Sequence, residues 1–129
     1  MSIFRRRTGG AGRVTVQEAA ARTGHGRSAA DGADAVLLDV REPYEWRAGH
    51  VPGAVHLPLA ALSAGTELPG EAQARPVVVI CRSGNRSQRA AELLVSRGTE
   101  AVDVIGGMRD WAAAGLPVVD GRGRTGTIA

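Results

Sequence analysis

Three short apolar runs, AVLLDV at 35–40, VVVI at 77–80 and AVDVI at 101–105, limit what this chain can fold into. Polar residues barely interrupt them, as expected of strands covered on both faces. Segments of helical period lie between the runs. That alternation argues for βα units built around a largely parallel sheet.

The helical segments carry their own punctuation. Thr15-Val16-Gln17-Glu18 fits a capping box, which predicts a helix running to about Arg22. Val55-His56-Leu57 reads as a short strand between Pro52-Gly53 and Pro58, followed over 59–74 by a loop with a weak helical turn. Ala90, Leu93 and Leu94 recur at helical spacing within 86–97, and Gly98 suits the position just past a helix end. Gly106-Gly107 turns the chain into a short helix over 108–114, which Gly115 and Pro117 end.

The domain is expected to occupy 13–119, with a flexible basic arm at 1–12 and a flexible Gly-rich tail at 120–129. With 129 residues the chain suits one domain. Arg5-Arg6-Arg7 is followed by polar and glycine residues where a signal peptide needs an apolar stretch, and no run approaches the ~18 apolar residues of a membrane span. The reading is a cytoplasmic protein with no membrane partner. All 16 basic residues are Arg and the net charge is +3, yet four aromatic residues are too few to supply stacking platforms, so no nucleic-acid partner is expected. A single cysteine rules out an intrachain disulfide and leaves too few thiolates for a cysteine-based zinc site. No metal and no cofactor are expected. His50 and His56 match no ligand spacing, and His25 between two glycines reads as exposed.

That cysteine, Cys81, directly follows the 77–80 strand and opens the loop Cys81-Arg82-Ser83-Gly84-Asn85-Arg86-Ser87 ahead of a helix. Ligands of parallel sheets bind beyond the carboxyl ends of the strands, where helix N-termini leave N–H groups without partners. Such N–H groups, with Arg82 and Arg86 beside them, favour thiolate over thiol and attract anions. Gly84 suits a loop that must wrap round one sulfur, which needs a residue tolerant of positive φ. Ser83 and Ser87 are placed to donate hydroxyl hydrogen bonds to the sulfur, with helix capping as the alternative for Ser87. The loop is expected to expose its cysteine.

This loop, together with LLDVREPYEW at 37–46, GHVPGA at 49–54 and GGMRDW at 106–111, resembles a single-domain rhodanese. The resemblance implies a rhodanese-like α/β fold, with a central, mainly parallel five-stranded sheet flanked by helices on both faces. It also implies a sulfurtransferase in which Cys81 takes sulfane sulfur from a small anionic donor such as thiosulfate. The resulting persulfide then passes to a thiol, cyanide or protein acceptor. By motif position Arg86, then Arg82, would steer the donor. Asp39 and Arg41 lie where their strand meets the active face, which suits an ion-pair or loop-bracing role rather than direct catalysis. A sulfur relay between proteins, or a partner-binding module without efficient turnover, is the alternative. A cysteine phosphatase fits less well, because its loop has Arg six positions after the nucleophile and this chain has Ser87 there.

Overall fold

The computed structural model describes residues 11–25 and 34–129, so the basic arm lies, up to residue 10, outside the described residues. Five strands, β1 (Gly12–Val14), β2 (Val36–Asp39), β3 (Val55–His56), β4 (Val77–Ile80) and β5 (Ala101–Val104), form one sheet in the order β1-β5-β4-β2-β3. Every pairing within it is parallel. Among the described residues five α-helices, α1 (Val16–Arg22), α2 (Pro43–Ala48), α3 (Leu59–Ser63), α4 (Asn85–Ser96) and α5 (Gly107–Ala113), and a 3-10 turn at Gly70–Ala72 connect or follow the strands. No helix among the described residues is long and apolar enough to cross a membrane.

Side chains alternate across the sheet and build two cores, which is why the strand sequences lack polar breaks. Leu37, Val78, Ile80, Val102 and Val104 pack on one face with Val16, Ala19, Met108 and Trp111. Leu38, Val77, Val79 and Ala101 pack on the other with Leu62, Ala90, Ala91 and Leu94. The helices therefore cover both faces, and the carboxyl end of central β4 is where Cys81 emerges.

Two elements were not expected. β1 is only three residues long, too short to show a period, and its Gly12 falls within the span read as a flexible arm. In α2, Pro43 takes the first turn and Glu42 and Glu45 make the capping box, although glutamate is an uncommon N-cap residue. The Thr15–Glu18 box forms as the spacing predicts, with Glu18 N–H on Thr15 Oγ1 at 3.2 Å and Thr15 N–H on Glu18 Oε1 at 3.1 Å.

Residues 120–129, read as a flexible tail, are instead tied to the domain. Gly121 N–H donates to the Arg47 carbonyl at 3.3 Å, Gly126 N–H to the Val118 carbonyl at 3.0 Å and Thr127 N–H to the Ala48 carbonyl at 2.9 Å, and Ile128 packs against the first core. Of the glycines that suggest mobility, Gly126 allows a close approach, while Gly121 and Gly123 face open space. A Cβ on Gly126 would lie 2.7 Å from Gly49 Cα.

Candidate active site

The loop after β4 is fastened by its carbonyls. Cys81 C=O accepts from Met108 N–H at 2.7 Å and Arg82 C=O from Arg109 N–H at 3.0 Å, both at the start of α5. Gly84 C=O accepts from Arg13 Nη2 at 2.9 Å. A trans peptide sets its N–H opposite its C=O, so these three anchors leave the N–H groups of Arg82, Ser83 and Asn85 facing away from them. Gly107 must be glycine for α5 to come this close: its φ is +56° and a Cβ there would sit 2.3 Å from the Cys81 carbonyl oxygen. Gly84, at φ +104°, precedes α4 and lies under the Arg13 side chain.

Cys81 is 1% exposed, so the loop does not expose its cysteine. Its sulfur sits beneath the loop among both apolar and polar groups, because the anchored carbonyls draw the turn down over it. Gly84 N–H donates to Sγ at 3.1 Å, and Sγ lies 3.4 Å from Ser87 Oγ. Gly84 is the loop amide that reaches the sulfur, where several were expected. Ser87 is buried in the first turn of α4 and donates to Asp103 Oδ2 at 2.8 Å, so it does not occupy the N-cap position. Ser83 and Asn85 are exposed.

The arginines of the loop already have partners. Arg86 grips Glu45 with both terminal nitrogens, at 2.6 and 2.8 Å. Arg82 Nε donates to the Ala129 carbonyl oxygen at 2.9 Å. Glu45 was not picked out from sequence, because its partner lies 41 positions away. Nor were Arg13 and Asp103, which the parallel register of β1 and β5 places side by side. Arg13 binds Asp103 through Nε and Nη2, both at 3.0 Å.

Asp39 and Arg41 form a buried ion pair at 2.7 Å at the carboxyl end of β2, and Arg41 also holds the Gly49 carbonyl at 2.7 Å. Trp46 is sandwiched between His50 and His56, at ring distances of 3.8 and 4.7 Å. Each histidine donates a ring N–H to a backbone carbonyl, of Trp46 and Arg41 respectively. His25 is half-buried, not exposed, because its ring nitrogens reach Thr23 Oγ1 and the Pro52 carbonyl.

The Arg86 fork holds the Glu45 carboxyl below the usual glutamate range, mainly through its hydrogen bonds. A group depressed in the folded state stabilises fully above its unfolded value of ~4.3 and loses that contribution as pH falls through its folded value. Glu45→Gln is therefore expected to cost about 1–2 kcal/mol in urea unfolding at neutral pH, allowing for the part-exposed Arg86. Below pH ~4 the difference from wild type should shrink. A gap that stays constant with pH would count against this role.

A family model described as a rhodanese-like domain matches residues 16–114. An Allochromatium vinosum protein named a sulfurtransferase is 39% identical over 92 residues, which cover 70% of this chain and 83% of that one. An uncharacterised Synechocystis protein is 43% identical over 85 residues, 65% of this chain and 46% of its own length. YrkF of Bacillus subtilis, whose name proposes a sulfur carrier, is 38% identical over 76 residues, 58% of this chain and 40% of its own. The chain thus spans about half the length, or less, of two of these three relatives. Among solved structures, a rhodanese-related protein of Thermoplasma volcanium superposes with a TM-score of 0.61 at 36% identity, covering 67% of this chain and 84% of that one. A Rhodopseudomonas palustris protein of unknown function, described as a possible tyrosine phosphatase, superposes at 0.69 with 27% identity, covering 83% of each.

Proposed function

Starting from the fact that this chain belongs to the rhodanese-like domain family, we propose that it transfers sulfane sulfur through a persulfide on Cys81. The observation that carries the reading is the Gly84 N–H on Cys81 Sγ, within a loop whose carbonyls are tied to α5 and Arg13. In such a loop the Cys81, Arg82 and Gly84 carbonyls are engaged elsewhere, which leaves the N–H groups on the same peptides for a donor's charge.

The Cys81 thiolate attacks the outer sulfur of thiosulfate, and the sulfur–sulfur bond breaks with sulfite leaving on its electron pair. The outer persulfide sulfur is held by the loop amides until a thiolate, cyanide or protein acceptor attacks it and releases the Cys81 thiolate. Sulfur is both nucleophile and carrier, so this ping-pong scheme uses no metal and no cofactor.

A second reading, relay between proteins, draws on the state of the arginines. Arg86 is neutralised by Glu45, Arg13 by Asp103, and Arg82 is turned to Ala129. A site with so little uncommitted positive charge suits a protein persulfide, which carries less charge than thiosulfate. Phosphate transfer has less support, because Ser87 is bonded to Asp103 where a phosphatase needs its arginine fork.

Intact mass after incubation with thiosulfate, with and without reductant, tests the proposal. The wild type is expected to gain one reductant-labile sulfur atom and Cys81→Ala none. No gain from thiosulfate or from a protein persulfide would refute it.

A further inference from the structure

One chain of hydrogen bonds beneath the loop has no part in the transfer scheme. Cys81 Sγ contacts Ser87 Oγ at 3.4 Å, Ser87 donates to Asp103 Oδ2 at 2.8 Å, and Asp103 takes two N–H bonds from Arg13. Ser87 and Asp103 are 0% and 1% exposed, so water does not substitute for these partners.

A serine hydroxyl has one proton to give. In this arrangement the proton goes to Asp103, and the thiol of Cys81 donates its own hydrogen to Ser87. Once the thiol has lost its proton to water, the sulfur faces a hydroxyl oxygen whose hydrogen points elsewhere. The thiolate is solvated from that side only if Ser87 turns its O–H toward sulfur, which takes a partner from Asp103. A buried carboxylate without partners is costly. Arg13 removes that obstacle, because it holds both carboxylate oxygens whichever way Ser87 turns.

We propose that Arg13 and Asp103 are positioning residues for Cys81: together they leave the Ser87 hydroxyl free to pass from carboxylate to sulfur as the thiol ionises. The inference rests on Cys81 being the sulfur nucleophile. Ser87 keeps its proton throughout and only the O–H direction changes.

The surrounding charges give the device a signature. Arg13 on β1 reaches the Gly84 carbonyl in the Cys81 loop, and Arg86 stands in the first turn of α4. Arg86 is balanced by Glu45 of α2, with Glu42 nearby, and Arg13 by Asp103 of β5. The Asp39–Arg41 pair at the end of β2 is internally neutral. Arg82 lies in the loop, and Arg109 and Asp110 start α5. Removing one member of the Arg13–Asp103 pair therefore unbalances the field at sulfur in a direction set by which member remains.

The test is a pH titration of thiolate ultraviolet absorbance in the full chain, each variant read against the same variant carrying Cys81→Ser to subtract Tyr44. Cys81 is the sole cysteine, so the difference reports it alone. Arg13→Gln leaves Asp103 to compete for the Ser87 proton and should raise the midpoint by at least ~0.5 pH unit. Asp103→Asn leaves Arg13 uncompensated and should lower it by a similar amount. The double variant should return toward wild type, and Arg13→Lys should stay closer to wild type than Arg13→Gln. A merely structural brace would lower thermal stability in both single variants without opposite displacements. Where both single variants fold, any result other than opposite displacement overturns the inference. If Asp103→Asn does not fold, the Arg13 pair decides: Gln must raise the midpoint and Lys must restore it. Unmoved midpoints alongside a normal sulfur gain would sink this inference alone, whereas displaced midpoints with no sulfur gain from any donor would sink the transfer reading.

Discussion

Cys81→Ser is expected to lower thiocyanate formation from thiosulfate and cyanide by at least ~10³-fold while leaving the fold in place. The two side chains have nearly the same shape, and a serine oxygen can still accept from Gly84 N–H and bond to Ser87, so stability should change by less than ~1 kcal/mol. Chemistry does not survive the exchange. An alcohol is not appreciably ionised at neutral pH and cannot carry sulfane sulfur as a persulfide, so both halves of the proposed ping-pong cycle would stop. Turnover assays paired with urea unfolding separate the two effects, and a variant that kept a tenth of wild-type turnover would exclude Cys81 as the carrier. The wild-type rate also ranks the donors. Saturable turnover with thiosulfate identifies a small-molecule enzyme, and poor turnover with rapid exchange from a protein persulfide identifies a relay.

The largest loss of stability is expected from breaking the Asp39–Arg41 pair. Both side chains are at most 1% exposed, and the Arg41 Nε and Nη2 groups bond to Asp39 over 2.7–3.1 Å. Arg41 also ties β2 to the α2–β3 connection through the Gly49 carbonyl. Arg41→Met strands a buried carboxylate and Asp39→Asn a buried guanidinium, each at about 3–5 kcal/mol, a large share of the 5–15 kcal/mol of a whole domain. The double change to Asp39→Leu with Arg41→Met should cost clearly less than either single change, because no lone charge remains. Chemical denaturation of the three variants checks this; single variants within ~1 kcal/mol of wild type would show that the pair is dispensable.

What could be seen in the sequence was what is local. Val77-Val78-Val79-Ile80 announces the central strand by composition, and Thr15 and Glu18 announce α1 by spacing. Cys81 stands out because a strand, a small-residue loop and a helix follow one another within a few positions. What escaped depends on pairings between distant segments. Arg13 and Asp103 are 90 positions apart and meet only through the β1–β5 register. Arg86 has the look of a donor-steering cation until Glu45 is found on it. Gly126 reads as slack in a polar tail, whereas its missing side chain lets that segment lie on Gly49. The burial of Cys81 was hidden for the same reason, since it is the start of α5, more than twenty residues on, that pulls the loop down.

The grip of α5 on the Cys81 and Arg82 carbonyls also sets where the sulfur cup is weakest. Helix ends fray at free energies well below that of global unfolding. Each time the first turn of α5 opens, two of the three anchors go with it, and the amides lose their fixed bearing although β4 has not moved. If Cys81 carries the sulfur as proposed, the bearing of its loop amides depends on the first turn of a seven-residue helix.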